Sequence, residues 1–165
     1  MKKIISAIIA AVIAFSSLVI LSSCGAKPEL DLDDAKKNLE TKGYTVFHYE
    51  EDEDTAPGVR EHIDAYKDGN RLSISKFSNE KLAKLYYKSL KASFDSRGEE
   101  LKTELKYYKH LLKKETLASA EEDMVKEKIK SLESELDNYK DLAIGRDGKI
   151  VWEGTKTAIK ASKGK

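Results

Sequence analysis

Two apolar stripes with a common midpoint constrain the fold of this chain more than any other pattern. Apolar residues recur every three or four positions along residues 101–112 and again along residues 125–139, which is typical of one face of a helix. When the stripes are paired outward from the gap between them, each pair has its midpoint between residues 118 and 119. Two helices that fold back on each other require such a shared midpoint. We therefore predict an antiparallel αα-hairpin over residues 99–140. The predicted contacts are Leu112 with Val125, Tyr108 with Ile129, Leu105 with Leu132, and Leu101 with Leu136.

The segments on either side of this hairpin predict a mixed domain, in the order αβββα, hairpin, ββα. Aromatic and β-branched residues favour strands at residues 44–49, 59–66 and 71–77, and short strands at residues 142–144 and 150–152. We predict an α+β fold in which helices cover one face of an antiparallel sheet and the αα-hairpin projects from it. The local signals that support it are N-caps at Asp31, Ser78 or Asn79, and Thr155, a capping box from Ser119 to Glu122, and turns at Asp68-Gly69 and Asp147-Gly148.

The first 23 residues have the layout of an export signal. Lys2 and Lys3 form a short positive region, and residues 4–21 are apolar or small and uncharged. Small residues follow directly, at Ser22 and Ser23. This layout is that of a secretory signal, which is removed from the mature protein and does not contribute to its fold.

The sequence Leu21-Ser22-Ser23-Cys24 resembles the lipobox of bacterial lipoproteins. The resemblance implies cleavage between Ser23 and Cys24 and a diacylglyceryl thioether on Cys24, and it leaves open an N-acyl group on the new amino terminus. It divides the chain into a signal peptide (1–23), a lipidated tether (24–29) and one α+β domain (30–165) that contains the insertion 99–140. It also implies a lipid-anchored protein at the extracytoplasmic face of the cell membrane.

The alternative to a cleaved signal is an uncleaved membrane helix. The apolar run of residues 4–21 is at the short end of the roughly 17–25 residues that span a bilayer. Both interpretations tether residues 25–165 outside the cytoplasm. They differ in whether Cys24 carries the anchor, because two acyl chains suffice for stable attachment to a membrane.

Composition limits the chemistry of the exported part. Cys24 is the only cysteine, so the domain has no intrachain disulfide, and no free thiol if Cys24 is acylated. The whole chain has 30 basic and 29 acidic residues, and removal of Lys2 and Lys3 leaves 28 basic residues. This balance argues against nucleic acid as a partner, since nucleic-acid binding requires a concentrated basic surface.

The mature chain has a second resemblance, to small uncharacterised lipoproteins of Gram-positive-type and wall-less bacteria. It rests on the run from Leu32 through Gly43-Tyr44, the two hairpins, and the closing pattern Gly154-Thr155-x-x-Ala158-Ile159. Residues 99–140 lie outside it and are interpreted as an insertion. The resemblance implies membrane attachment and no established activity.

His48 and His62 are the strongest candidates for a chemical site. If their strands pair around the acidic loop, we expect the two imidazoles to lie close together, with Glu50, Asp52 or Glu61 as a third metal ligand. The alternative is two half-exposed strand histidines beside a solvated loop. Because the spacing matches no known metal motif, we predict no metal, no other cofactor and no catalytic residue.

We therefore predict a non-catalytic binding or interaction module anchored to the membrane through Cys24. Its expected partner is a protein, or a second copy of the chain, bound through the helical hairpin 99–140. One alternative is a small metal-dependent extracytoplasmic enzyme that uses His48 and His62. Another is a solute-binding lipoprotein, which is disfavoured because one small domain offers no cleft between two lobes.

Overall fold

The computed structural model describes residues 30–50, 58–114 and 117–165. Within these ranges the chain forms four helices and five strands, and the alternation of predicted elements is confirmed. The predicted signal peptide and the predicted tether, with Cys24, lie outside the described residues. The elements are α1 (Leu32–Thr41), β1 (Thr45–Glu50), β2 (Val59–Lys67), β3 (Asn70–Phe77), α2 (Glu80–Lys114), α3 (Ser119–Asp141), β4 (Leu142–Asp147), β5 (Ile150–Thr155) and α4 (Lys156–Ser162).

The five strands form one antiparallel sheet in the order β1-β2-β3-β5-β4. The turn between β2 and β3 is Asp68-Gly69, where both residues have positive φ angles of 47° and 78°. This conformation suits a tight hairpin and favours glycine at its second position. The α+β class and the antiparallel sheet are therefore confirmed.

Helices lie on both faces of this sheet. On the first face, α1 and α4 cover the central strands, and the predicted core residues Leu72 and Ile74 are buried there. On the other face, the first half of α2 packs against Phe77 and Val151. The prediction of helices on one face therefore describes α1 and α4 but omitted the position of α2. The buried core residues of the first face are Leu32, Ala35, Leu39, Tyr44, Ile63, Ala65, Leu72, Ile74, Ile150, Ala158 and Ala161.

Side-chain caps fix the starts of three helices. The Asp31 carboxylate accepts hydrogen bonds from the backbone N–H groups of Asp33 and Asp34, at 2.9 and 3.1 Å. Asn79 and Thr155 cap α2 and α4 in the same way. Each cap satisfies N–H groups that have no partner within the helix.

The start of α3 differs by one residue from the predicted capping box. The N-cap is Ala118, and the Glu121 carboxylate accepts a hydrogen bond from its N–H at 3.0 Å. A capping box has two hydrogen bonds, and only the one from the N-cap N–H to the carboxylate is present here. The other is missing because an alanine side chain cannot accept a hydrogen bond.

The second half of α2 and most of α3 lie side by side, and we call residues 98–138 the arm. Leu101 and Leu132 are each only 1% exposed and form its interior, with Val125 nearer its far end. Ion pairs cross between the helices from Lys109 to Glu133 at 2.6 Å and from Lys128 to Glu104 at 3.0 Å. With the Arg97–Glu135 pair, their midpoints lie between residues 116 and 121, close to the predicted midpoint.

Gly98 lies inside α2, and the helix continues through it without a break. The predicted start of the insertion at residue 99 is therefore not a helix end. A Cβ atom on Gly98 would lie 2.9 Å from Cε1 of Tyr139 on α3. The glycine lets the Tyr139 ring pack directly on the α2 backbone, where its hydroxyl donates a hydrogen bond to the carbonyl oxygen of Phe94.

The start of α1 and the arm lie at opposite ends of the sheet. The hydrogen bond to Glu61 raises the pKa of the Lys76 ammonium group, and the nearby charges of Asp31 and Asp33 add to this rise. The Lys67 ammonium group donates a hydrogen bond to the carbonyl oxygen of Lys42 at 2.7 Å, so α1 ends beside the β2–β3 turn. Asp31 lies at the other end of this ten-residue helix, about 15 Å back toward the end of the sheet where β3 finishes. The arm leaves at the other end, where Phe94 and Leu101 face the β2–β3 turn across a cleft.

Candidate functional site

Three aromatic side chains lie exposed on the half of the sheet that α2 does not cover. Phe47 and Tyr49 on β1 and Tyr66 on β2 are 47%, 47% and 49% exposed. The strand register places all three on the same face, since Tyr66 lies opposite Thr45, two residues before Phe47. We call Phe47, Tyr49 and Tyr66 the aromatic surface.

A hydrogen-bonded group of polar side chains borders the aromatic surface. The Nδ1 atom of His62 lies 2.9 Å from the Ser75 hydroxyl, and its Nε2 atom lies 3.2 Å from the Asp64 carboxylate. The Ser73 hydroxyl lies 3.4 Å from the same Nε2 atom, and the Tyr49 ring stacks on the imidazole. The group therefore holds His62 in one orientation beside Tyr49.

The contacts from Ser75 to His62 and from His62 to Asp64 resemble those between a serine nucleophile, its histidine base and the carboxylate that orients the base. Ser75, however, is only 9% exposed and lies on β3, which pairs with β2 and β5. The backbone N–H groups of a central strand take part in the sheet, so they are not free to stabilise a developing oxyanion. We interpret the group as a polar edge of a binding surface.

The expectation that His48 and His62 lie together is wrong. His48 lies opposite Ile63 and faces α1 and α4, whereas His62 lies opposite Tyr49 and faces the other side of the sheet. Because successive strand residues point to opposite faces, one metal ion cannot bind both imidazoles. Among the described residues, no group of three His, Cys, Asp or Glu side chains is arranged to hold a metal ion.

His48 lies instead near an ion pair. Its Nε2 atom is 3.7 Å from the Glu61 carboxylate and has no hydrogen-bond partner among the described residues. Glu61 already accepts a hydrogen bond from Lys76. Glu50 lies opposite Glu61 on the same face, and Asp52 lies outside the described residues.

The arm offers a second surface. Tyr107 and Met124 are 60% and 71% exposed, and Tyr107 packs edge-on against Tyr108. Lys128 lies over the Tyr108 ring, 5.9 Å from its centre. Of the predicted hairpin seam, Leu101, Val125 and Leu132 are buried and the other five residues are partly exposed.

A cleft of about 970 Å³ lies between the arm and the sheet. Leu90, Phe94 and Leu142 supply apolar walls, and Arg97 in its lining is paired with Glu135. A solute-binding role was disfavoured for want of a cleft between two lobes. The cleft between arm and sheet removes that objection, because its volume is within the range of small-molecule sites.

Tyr139 at this cleft provides a test of the packing between α2 and α3. Burial raises the pKa of its phenol, and the negative charge of Asp95 adds to this rise. A phenol that ionises later in the folded chain stabilises that state below about pH 10, and the stabilisation is lost as the pH rises through the folded pKa. We therefore expect the free energy of unfolding to fall above about pH 10, with a shallower slope in Tyr139→Phe.

The measurement is a series of urea unfolding curves between neutral and alkaline pH for both proteins. An alkaline titration followed by phenolate absorbance supplies the control, since one late-titrating phenol should be missing from Tyr139→Phe. In urea-unfolded protein the delay should disappear. Equal slopes in the two folded proteins would mean that Tyr139 is solvated and that the arm does not pack on it.

The aromatic surface was not predicted, although the sequence contains a signal for it. Phe47 and Tyr49 are two residues apart on a strand, so they share a face, while Val46 and His48 share the other. A strand with large side chains on both faces needs a covering element on each side. The predicted cleavage site and Cys24 lie outside the described residues, and within those residues no helix is long and apolar enough to span a bilayer.

Comparison with known proteins identifies no relative of this chain. No protein family, curated protein or solved structure matches the chain. The candidate sites are therefore defined by the chain's own geometry. They are the aromatic surface, the arm, and the cleft between the arm and the sheet.

Proposed function

We propose that this chain is a lipid-anchored, extracytoplasmic binding protein without catalytic activity, which presents its arm to a partner away from the membrane. The anchor is the diacylglyceryl group on Cys24, as the lipobox-like sequence Leu21-Ser22-Ser23-Cys24 implies. The partner of the arm is a protein or a second copy of the chain, and no nucleic acid is involved.

The observation that carries this proposal is the distance between the start of α1 and the far end of the arm. Cys24 precedes Leu30 by six residues, so the tether reaches at most about 21 Å. The eight residues of β3 extend about 25 Å along the sheet, and residues 98–114 of α2 add about 25 Å. Tyr107 lies about 14 Å along this arm, so it is roughly 40 Å from the start of α1, and Met124 lies farther out on α3.

The exposed chemistry of the arm suits reversible contact with a protein. Its surface ion pairs contribute little to stability, so they can exchange partners at small cost. Tyr107 and Met124 are side chains of types enriched in interface cores. The cleft beside Phe94 favours solute binding as the second candidate function, because apolar walls and paired charges line it.

One experiment in living cells tests anchor and partner together. A photocrosslinking amino acid replaces Tyr107 in the full chain, in the Cys24→Ser variant and in the Ser23→Ala variant. We expect the full chain and Ser23→Ala to remain with the membrane and to form discrete adducts. Cys24→Ser should be released into the soluble fraction because it cannot be acylated.

Two outcomes contradict the proposal. If Cys24→Ser stays in the membrane, and globomycin causes no lipidated precursor to accumulate, the apolar run of residues 4–21 is an uncleaved membrane helix. If the full chain is anchored but forms no adduct from Tyr107 or from Met124, the arm has no partner.

A further inference from the structure

The aromatic surface is an exposed patch that no element covers within residues 30–50, 58–114 and 117–165. Phe47, Tyr49 and Tyr66 each keep about half of their surface in water, and α2 packs on the other half of the same sheet face. An aromatic side chain presents 150–250 Å², so the three rings together expose about 300 Å². Any occupant of this surface must match that area.

This area is too small for a stable protein interface. Such interfaces bury about 800 Å² on each partner, and dimers of identical chains often bury more. A second copy of the chain on these three rings alone would therefore not stay bound. A ligand of a few rings is a better match, because small sites are built from rigid aromatic groups with a small number of placed polar groups.

The charges beside the rings favour a neutral, hydroxyl-rich ligand. Next to the rings, Asp64 supplies one negative charge and Arg71 one positive charge, and the other polar groups are His62, Ser73 and the tyrosine hydroxyls. Farther along the same face, Glu153 and Arg146 add one charge of each sign. Together they offer both donors and acceptors, as alternating hydroxyl groups require. Because the Asp64 and Ser73 groups are already oriented by His62, little ordering is needed when a ligand binds.

The rings also lie in a line that suits an extended chain. Phe47 and Tyr49 are about 7 Å apart along β1, and the row of Tyr66 and Thr45 continues in the same direction. The whole surface is about 13 Å long in the strand direction. Sugar rings present apolar C–H faces to aromatic rings and hydroxyls to the polar groups beside them.

We propose that the aromatic surface binds a neutral, extended saccharide chain. Two or three sugar rings stack on Phe47, Tyr49 and Tyr66, and their hydroxyls bond to Asp64 and Ser73. The inference deepens the proposed function and rests on it for access to a polymer outside the cell. It gives the domain a saccharide site near the sheet, separate from the protein-binding arm.

Isothermal titration calorimetry tests this with the full-length chain in detergent micelles and with two neutral probes, chitohexaose and cellohexaose. We expect one or both to bind. Tyr49→Ala should weaken binding by about fivefold to tenfold, since an aromatic contact is worth 0.5–1.5 kcal/mol. The double variant Phe47→Ala/Tyr49→Ala should give no measurable heat. Tyr107→Ala is the matched control, because Tyr107 is an exposed tyrosine on the arm.

Circular dichroism checks that the alanine variants keep their fold, which we expect because the rings are half in solvent. The saccharide site is wrong if neither hexasaccharide binds, or if Tyr49→Ala and Tyr107→Ala bind equally well. It is also wrong if light scattering shows a dimer that Phe47→Ala dissociates, since the surface is then an interface between copies. None of these results depends on Cys24 or on Tyr107 adducts in cells, so this site and the proposed function can fail separately.

Discussion

Replacing Gly154 by alanine is expected to lower the free energy of unfolding by about 3 kcal/mol, at the upper end of the range for overpacking. A Cβ atom there would lie 2.3 Å from the carbonyl oxygen of Arg71 and 2.8 Å from Cα of Leu72. Both atoms belong to the β3 backbone, so no side-chain rotation can relieve the contact. Relief requires β3 and β5 to separate where Leu72 pairs with Gly154.

Gly69→Ala is the matched control for this prediction. Gly69 has a φ angle of 78°, but nothing lies within 4 Å of an added Cβ atom. Alanine there has only the intrinsic penalty of the left-handed conformation, about 1 kcal/mol. Urea unfolding followed by circular dichroism measures both variants, and equal midpoints for the two would show that β5 does not approach β3 this closely.

Local signals in the sequence were sufficient for most elements of this fold. Asp31 and Thr155 are N-caps as predicted, because an Asp or Thr side chain accepts N–H bonds wherever a helix starts beside it. The Asp68-Gly69 turn fixes the register of β2 and β3 because it is two residues long. The shared midpoint of the apolar stripes is compatible with the ion pairs that cross between α2 and α3.

The relation of His48 to His62 could not be predicted, because a longer loop joins their strands. A pairing of these two histidines differs by one residue from the observed register, in which His48 pairs with Ile63. A shift of one residue moves every side chain of a strand to the other face. A two-residue turn would have settled the register, but the link between Glu50 and Val59 is eight residues long.

The position of α2 across the sheet depends on non-local packing, which local sequence patterns indicate only weakly. Gly98 directly precedes the predicted start of the insertion at residue 99, and glycine in a helix costs about 1 kcal/mol relative to alanine. The absence of a side chain at Gly98 allows the contact with Tyr139, 41 residues later. The sequence around either residue does not indicate the other. For the same reason the exposed state of Phe47 and Tyr49 followed only once the helices had been placed.

Leu132→Asp is expected to unfold the arm while the sheet and its other helices remain folded. Leu132 is 1% exposed between α2 and α3, and loss of such a side chain costs about 2–5 kcal/mol before the burial of a carboxylate is added. Most of the stability of a helix in a protein comes from packing of its apolar face, which this variant disrupts. The arm holds 37 of the 75 helical residues, so the helical signal in circular dichroism should fall by about half.

Met124→Asp is the matched control, because Met124 is 71% exposed on the same helix and should tolerate the charge. In cells, we expect Leu132→Asp to stay with the membrane and to lose the adducts formed from Tyr107, since Cys24 is unaffected and the partner surface is unfolded. Met124→Asp should keep the helical signal. If Leu132→Asp keeps its full helical signal, α2 and α3 do not depend on each other for stability, and the arm is not a unit that could present a surface to a partner.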